Sequence, residues 1–388
     1  GHEDHIGGLP YLLSGMVAPL YGTPLALGLL SVRLKERNML SAAEMHAVHS
    51  GDRVQLGAFD VEFFSVNHSI PEGLGLAIRT PIGMVVHSGD FKFDYTPVHG
   101  RGTDFAKLAS LGGEGVFVLL ADSTNADSRG FTSSERVVAE AFATVFSEAE
   151  GRVIVATFAS LISRIQQVID VAVAHGRKVA VTGFSMEKNV DMARELGYLT
   201  IPEDTLVPIE QIIRLPDREV TILATGSQGE PAAALARMAA GRHVHVNIKP
   251  GDTVVLSAHP IPGNEELVNR IINKLFQRGA NVITDHILPV HVSGHAGQEE
   301  EKLLLSMLQP QYFIPIHGEL RHLHLHARTA EEIGIPRENI FVVENGYVLH
   351  FTEERGWVGE RQPGGYVFVD GAGVGDIGPA VMRNRAAL

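Results

Sequence analysis

Two histidines and two carboxylates stand within the first five residues of the chain, in GHEDHIGGLP (1–10). In a loop, side chains at positions i, i+2 and i+3 can turn toward one point, so His2, Asp4 and His5 are able to share a ligand. Two imidazoles and a carboxylate suit Zn²⁺ or Mn²⁺. The chain has no cysteine, so any metal must be held by nitrogen and oxygen atoms. The motif predicts part of a metal site.

Further candidate ligands stand where apolar runs end: His68 in NHSIP, Asp90 in HSGDFKFD and His317 in PIHGE. A carboxylate such as Asp90 can bridge two ions ~3.5–4 Å apart, which is the arrangement that clamps both reacting oxygens in phosphodiester hydrolysis. A single histidine beside a strand is more often structural than metal-binding. The metal prediction therefore depends on the joint pattern.

The elements that must position these residues change character along the chain. Residues 61–66, 75–80, 84–90 and 116–122 resemble strands of a β-rich segment. From residue 153 strands alternate with helices, which predicts a parallel sheet covered by helices on both faces. The histidines return after residue 285. We predict an α/β module (131–290) inserted into a β-rich domain formed by residues 1–130 and 291–388.

Six motifs carry a specific resemblance: HEDHIGG, NHSIP, HSGDFKFD, ADSTNA, SGHAG and PIHGE. They follow the order found in metallo-β-lactamase-fold nucleases of the β-CASP group. The residues of the motifs are most similar to those of bacterial ribonuclease J, and the resemblance covers nearly the whole chain. The resemblance implies an αββα sandwich with an inserted, doubly wound parallel β-CASP domain. It also implies a fragment, because the family motif HxHxDH begins one residue before Gly1 and the accessory C-terminal domain is absent. The sandwich is then N-terminally incomplete.

The resemblance implies two Zn²⁺ or Mn²⁺ ions, with Asp90 bridging them. One ion takes His2, His68 and the histidine expected before Gly1. The other takes the remaining ligands, which are Asp4, His5 and His317. Near the end, Asp370 in VDG resembles a segment whose aspartate helps to hold a structural Ca²⁺.

The resemblance also assigns catalytic and substrate-binding roles. Asp4 orients the attacking hydroxide. His295 faces the scissile phosphate, where it stabilises charge or protonates the leaving oxygen, and Asp122 in ADSTNA orients that histidine. The substrate-binding segment is HVSGH, which comprises His291, Val292, Ser293, Gly294 and His295. Ser293 and Gly294 offer donors to a phosphate, and His291 is expected to add positive charge.

Two other groups of residues have weaker signals. The segments FAS (158–160), GFS (183–185) and TGSQGEP (225–231) each predict a strand-to-helix turn, where free N–H groups and the helix dipole favour phosphate. Ordinary helix capping explains any one of them equally well. The histidines of HLHLH (322–326) are two apart in a predicted helix, so they point to different sides and cannot share a metal.

The function implied is a metal-dependent, cytoplasmic ribonuclease with 5′-to-3′ exonuclease and endonuclease activity, active in RNA maturation and decay. Its substrate is expected to be single-stranded RNA with a 5′-monophosphate, and the full-length protein is expected to form a homodimer or homotetramer. The formal net charge of −13 argues against nucleic-acid binding through bulk charge alone, and we find no membrane-spanning or signal segment. Alternatives are a β-CASP nuclease for DNA or RNA 3′ ends, a hydrolase of small esters, and an inactive RNA-binding scaffold or fragment.

Overall fold

The structure, a computed structural model, describes residues 1–98, 101–363, 369–370 and 373–374. Two large sheets carry eleven helices within those residues. The helices are α1 Glu3–Ile6, α2 Leu9–Leu13, α3 Pro24–Glu36, α4 Phe105–Glu114, α5 Arg136–Glu148, α6 Ile162–Ala174, α7 Phe184–Glu195, α8 Ala234–Ala239, α9 Glu265–Gln277, α10 Gln298–Leu308 and α11 Leu320–Glu332. In the described part, none of them has the length and apolar character needed to cross a bilayer.

The first sheet has six strands and mixed direction. After a separate short parallel pair, β1 Leu20–Gly22 with β2 Met45–Ala47, its strands are β3 Arg53–Leu56, β4 Phe59–Ser65, β5 Leu74–Thr80, β6 Gly83–His87 and β7 Val118–Asp122. Strands β3 to β6 pair antiparallel, and β7 pairs parallel with β6. The sixth strand comes much later in the chain and lies beyond β7, as described below. One face packs on α4, α10 and α11 through a core that includes Phe64, Phe91 and Phe313.

The second sheet has five strands, all parallel. They are β8 Val153–Ala156, β9 Lys178–Thr182, β10 Val220–Ala224, β11 Thr253–Leu256 and β12 Asn281–Ile283, in the spatial order β12-β11-β8-β10-β9. The three inner strands β8, β10 and β11 are short, mostly apolar runs because both of their faces are buried. Helices α5, α6 and α7 contribute to one core, and α8 and α9 contribute to the other. This is the predicted parallel sheet with helices on both faces.

The last strand of the first sheet, β13 Tyr312–Ile316, pairs in parallel with β7. Asp122 lies opposite Ile316 in that register, so the two strands end side by side at the same edge of the sheet. Beyond β13 come the antiparallel pair β14 Tyr347–Phe351 and β15 Gly356–Arg361 and the short pair β16 Val369–Asp370 and β17 Gly373–Val374. The fold class is therefore the predicted one, and we propose that the insertion has boundaries near residues 130 and 290.

The parallel run β6-β7-β13 decides where the site forms. All three strands end at one edge of the sheet: Asp122 is the last residue of β7, and Asp90 and His317 lie in the loops that follow β6 and β13. Carboxyl ends of adjacent parallel strands are the usual place for ligands in α/β folds. The topology therefore brings together residues that lie more than 200 positions apart in the sequence.

Candidate metal centre and substrate loop

The first ligand motif forms a short helix and not the expected loop. Helix α1 begins at Glu3, and His2 precedes it in extended conformation. Asp4 and His5 turn toward the edge of the first sheet, whereas Glu3 forms an ion pair with Arg33 of α3. The helical turn therefore directs the carboxylate of Asp4 toward the site and the carboxylate of Glu3 toward Arg33.

Four of the predicted ligands come together as one group, which we call the metal cluster: Asp4, His5, Asp90 and His317. One donor atom from each lies within 4.8 Å of all the others. His5 Nε2 is 2.7 Å from Asp90 Oδ2, and His317 Nε2 is 3.5 Å from Asp4 Oδ2. The cluster borders a cavity of about 350 Å³. Within the described residues, a second group that could hold a cation shares Asp90 and His317 and adds Asp122 and His295.

His317 occupies an unusual backbone conformation directly after β13. Its φ of 54° lies in the left-handed region, which a non-glycine residue adopts only when its surroundings impose it. The hydroxyl of Thr124 donates to the His317 carbonyl at 2.9 Å and also lies 2.9 Å from its Nδ1. These contacts hold the ring in place beside Asp4.

The electrostatics of the cluster fit a divalent cation. Hydrogen bonds to Asp122 and Asp4 raise the pKa of His317 to about 10. The hydrogen bond to His317 in turn holds the pKa of Asp4 well below its usual range. The negative charges of Asp122 and Asp4 thus stabilise the protonated form of His317. A cation held by oxygen and imidazole donors would neutralise the same negative charge, so the donor set fits Zn²⁺ or Mn²⁺.

The remaining two predicted ligands are placed differently. His68 Nε2 lies 3.7 Å from Asp90 Oδ2, and burial, followed by the charge of His295, lowers the pKa of His68 to about 4. It is therefore neutral, as a metal ligand must be. His2 is not brought into either donor group: its Nδ1 is 2.7 Å from Ser160 Oγ and its Nε2 is 2.8 Å from Ser69 Oγ. Both of its ring nitrogens are engaged by hydroxyls.

The predicted pair of Asp122 and His295 is in contact. His295 Nδ1 lies 2.6 Å from Asp122 Oδ2, and the His295 ring is 4.9 Å from the ring of His68. Burial opposes ionisation of Asp122, but the charge of His295 and hydrogen bonds from His295 and His317 outweigh it and hold the Asp122 pKa well below its usual range. Burial likewise opposes protonation of His295, and Asp122 outweighs it and raises the His295 pKa. Asp122 thus favours the protonated form of His295 beside the cluster.

The predicted substrate segment, residues 291–295, lies beside these histidines without regular secondary structure. Among the described residues, the backbone N–H groups of residues 291–294 have no protein acceptor, although the N–H of His295 donates to Ser293 Oγ. A backbone N–H group without a protein acceptor is able to donate a hydrogen bond to an anion. The segment therefore has the donors that a phosphate requires.

Close packing explains the glycine in this segment. A Cβ added at Gly294 would lie 2.7 Å from the ring of His68 and 2.8 Å from the Cβ of Ser69. The Gly294 carbonyl also lies 2.8 Å from His68 Nδ1, which leaves Nε2 on the side of Asp90. Only glycine permits this approach of the substrate segment to a candidate ligand.

Two members of the segment differ from the expectation. Burial, followed by the charge of Arg164, lowers the pKa of His291 to about 3, so His291 is neutral near pH 7 and does not add the predicted positive charge. The side chain of Val292 is buried in the core between the second sheet and α5, α6 and α7. Only the backbone of Val292 is available to a ligand.

The predicted strand-to-helix turns line a common cleft of about 280 Å³ that reaches the first helix. Ser160, Ser185 and Ser227 lie on one side, and Glu3 and Arg33 lie on the other. The three turns follow β8, β9 and β10 at the carboxyl edge of the second sheet. Because the cleft also contains Gly1, it opens beside the metal cluster.

Several side chains in the site were not predicted. His87 lines the cavity of the metal cluster and accepts a hydrogen bond from the N–H of Gly89 through Nδ1. Thr124 holds His317, as described above, and Lys92 lies buried beneath the substrate segment. His87 and Lys92 flank Asp90 in HSGDFKFD, so proximity to a ligand is the one signal the sequence offered. Asp370, predicted for Ca²⁺, has a side chain outside the described residues.

The HLHLH segment lies in α11, where only His324 is on a different side from the other two histidines; the prediction that all three point to different sides is wrong for His322 and His326. His324 is exposed, whereas His322 and His326, four residues apart, are buried on the same face. His326 Nδ1 is 3.0 Å from Ser123 Oγ. The two buried rings therefore have packing and hydrogen-bonding roles behind the site.

Comparisons with known proteins concern the sequence and the fold of the chain. Sequence profiles described as "Ribonuclease J, beta-CASP domain" and "Zn-dependent metallo-hydrolase RNA specificity domain" match residues 150–275 and 281–343. A solved structure of a protein of unknown function from Enterococcus faecalis V583 has a TM-score of 0.61 at 14% identity, covering 88% of this chain and 76% of its own. That similarity concerns the fold alone.

Curated relatives share much more of the sequence. Ribonuclease J 1 of Streptococcus pyogenes is 46% identical over all of this chain and 69% of its own length. Ribonuclease J of Thermus thermophilus is 47% identical over 99% of this chain and 68% of its own. Ribonuclease J2 of Bacillus subtilis is 42% identical over all of this chain and 70% of its own. The chain therefore belongs to the ribonuclease J family of RNA hydrolases.

Proposed function

We propose that the chain carries the catalytic centre of a ribonuclease that removes nucleotides from the 5′ end of single-stranded RNA and also cuts internally. One observation carries the proposal: the metal cluster, the Asp122–His295 pair and the free N–H groups of residues 291–294 meet at one edge. A site with those three parts can hold a phosphodiester, donate a proton to it and accommodate cations beside it.

The cofactor we propose is a pair of Zn²⁺ or Mn²⁺ ions. Asp4, His5, Asp90 and His317 would hold one ion, and His68 and Asp90 would contribute to the other. Bound cations would polarise the scissile phosphate and supply a water nucleophile at neutral pH. The position of His2 on Ser69 and Ser160 also favours a second candidate, an RNA-binding subunit with one ion and no cleavage. Metal content per chain separates the two.

Residues of the chain would bind the phosphate, donate a proton and orient the attacking water. The N–H groups of residues 291–294 would hold the oxygens of the 5′-terminal phosphate of the RNA. His295 would give its proton to the 3′ oxygen that leaves, and Asp122 would keep its Nδ1 engaged and its other nitrogen directed to the substrate. Asp4 would accept a hydrogen bond from the attacking water and fix its direction. Such proton transfer by a positioned group contributes ~10²–10⁴-fold to a rate.

A preference for a 5′-monophosphate would follow if the substrate segment takes the terminal phosphate. We expect mononucleotides from 5′-phosphorylated RNA, and slower, internal cleavage of the same RNA with a 5′-hydroxyl. DNA of equal sequence and a lactone serve as competing substrates, and His324→Ala serves as the control variant. Equal turnover of the DNA or of the lactone would contradict the proposal. The dimer or tetramer proposed for the full-length protein is checked by light scattering.

A further inference from the structure

Two buried cations lie behind the substrate segment. Lys92 and Arg164 are each only 1% exposed. Lys92 comes from the segment that carries Asp90 in the first sheet, and Arg164 comes from α6 on the second sheet. Burying a charge costs several kcal/mol unless it is well paired. Packing alone therefore does not explain why two buried charges lie beneath one loop.

Both cations donate to backbone carbonyls of that loop. Lys92 Nζ lies 3.1 Å from the carbonyl oxygens of Ser293 and Ser133. Arg164 Nη1 lies 3.0 Å from the carbonyl oxygen of Val290, and its Nη2 pairs with Glu135 at 2.6 Å. The loop is thus held at residues 290 and 293, from two different parts of the chain.

Peptide geometry carries these contacts to the other side of the loop. The carbonyl of Ser293 and the N–H of Gly294 belong to one planar peptide group, and every described peptide bond is trans. In a trans peptide the C=O and the N–H point in opposite directions. A cation that holds the carbonyl therefore turns the N–H away from itself. The same relation joins the Val290 carbonyl to the N–H of His291.

We propose that Lys92 and Arg164 are positioning residues for the substrate phosphate. By holding the carbonyls of residues 293 and 290 they aim the N–H groups of Gly294 and His291 at the phosphate, and their charge polarises both peptide groups. Neither cation touches the substrate. The assignment rests on the proposed function, in which residues 291–294 bind a phosphate of RNA.

The test compares Lys92→Met and Arg164→Met with Arg152→Met in the whole chain. Arg152 is a matched control because it is also buried, pairs with Asp252 at 2.5 Å and donates to the carbonyl of Asn247 at 2.7 Å, but it lies at the amino ends of β8 and β11. The readout is the dissociation constant for a single-stranded RNA oligonucleotide with a 5′-phosphate and for the same RNA with a 5′-hydroxyl. Fluorescence anisotropy with chelator present removes cleavage from the measurement.

We expect Lys92→Met and Arg164→Met each to weaken binding of the phosphorylated RNA about tenfold, because a charge-assisted hydrogen bond contributes ~1.5–3 kcal/mol and 1.4 kcal/mol is a factor of ten. Binding of the hydroxyl form should change little, and Arg164→Lys should recover most of the loss. If Lys92→Met does not fold, Lys92→Gln replaces it with the same expectation.

Other results overturn the assignment. If Lys92→Met and Arg164→Met lower thermal stability as Arg152→Met does but bind both RNAs as the unaltered protein does, the cations serve stability alone. If both RNAs lose affinity equally, the cations do not position a phosphate donor. If the unaltered protein binds no RNA, the proposed function fails, and this assignment fails with it.

Discussion

The metal cluster and the contact between Glu301 and His326 both combine carboxyl groups with imidazoles, yet the protonation states of these groups are opposite. Glu301 and His326 are fully buried, with Glu301 Oε1 3.6 Å from His326 Nδ1. Burial raises the pKa of Glu301 to about 9 and lowers the pKa of His326 to about 3. Both are neutral near pH 7. In the cluster, by contrast, Asp4 is ionised and His317 is protonated.

The difference lies in the surroundings. Neither carboxyl oxygen of Glu301 has a hydrogen-bond partner among the described residues, and an apolar interior disfavours the charged form of either group. The cluster opens to a cavity and contains two carboxylates, so charges there are solvated and paired. A histidine next to an acid is therefore not by itself a metal site. Access to solvent and the number of nearby carboxylates determine whether such a pair is charged and suited to a metal ion.

The largest effect should come from removing the residue that joins both proposed ions. We expect Asp90→Asn to lower metal affinity at least ~100-fold, because even outer-shell changes cost 10–100-fold. RNA cleavage should fall more than ~1000-fold, since the cations supply several kcal/mol of charge stabilisation. Metal analysis after dialysis measures the first, and single-turnover cleavage measures the second.

Two matched variants give that experiment its control. Asp60→Asn alters a carboxylate in β4 that pairs only with Arg53 in the contacts described, and Glu301→Gln alters the buried carboxyl. Both should retain the metal. Loss of metal in Glu301→Gln would show that the buried carboxyl also contributes to metal binding, which would contradict the difference between the two regions.

The Asp122–His295 pair differs from both regions, because it is largely buried and yet the contact lowers the pKa of Asp122 and raises the pKa of His295. We expect His295→Asn to reduce kcat ~100-fold while metal content and thermal stability stay near those of the unaltered protein, because the proton donor is lost and no proposed ligand is. Asp122→Asn should lower kcat in the same direction. Normal turnover in His295→Asn at any pH from 6 to 8 would show that the histidine is not the proton donor.

A smaller effect is expected on the pH dependence of stability. The carboxyl of Glu301 has a folded-state pKa of about 9, above its unfolded value, so its favourable contribution is complete below pH ~4.5 and is lost as the pH rises to ~9. Glu301→Gln should therefore raise Tm by a few degrees more at pH 8 than at pH 5. Calorimetry at both pH values measures this. The exposed neighbour Glu299, changed to Gln, is the control, and parallel Tm curves for Glu301→Gln and the unaltered protein would contradict the pKa assignment.

The smallest effect is expected at His324. This exposed member of HLHLH points away from the buried rings of His322 and His326. His324→Ala should change stability by less than ~0.5 kcal/mol and leave metal content unaltered. A lost ion in this variant would mean that the helix contributes a ligand after all.

Sequence patterns predicted the alternation of strands and helices and the family, because short apolar runs and linear motifs are local signals. They also indicated which residues converge, through motifs that stand at strand ends. They did not indicate that α1 is helical, that His291 is neutral or that Lys92 and Arg164 hold the substrate loop. Those depend on burial and on contacts such as Arg164 with Val290, whose residues lie 126 positions apart.

The pairing of β7 with β13 has a consequence for synthesis of the protein. Residues 123–311 lie between these neighbouring strands, and His317 follows the second of them. While the ribosome makes that stretch, a nascent chain already contains Asp4, His5 and Asp90 but lacks the fourth member of their group. The parallel sheet of the insertion can fold in that interval. The metal cluster is then complete only after His317 has been made, so a translation product that ends before this residue would lack one of its four members.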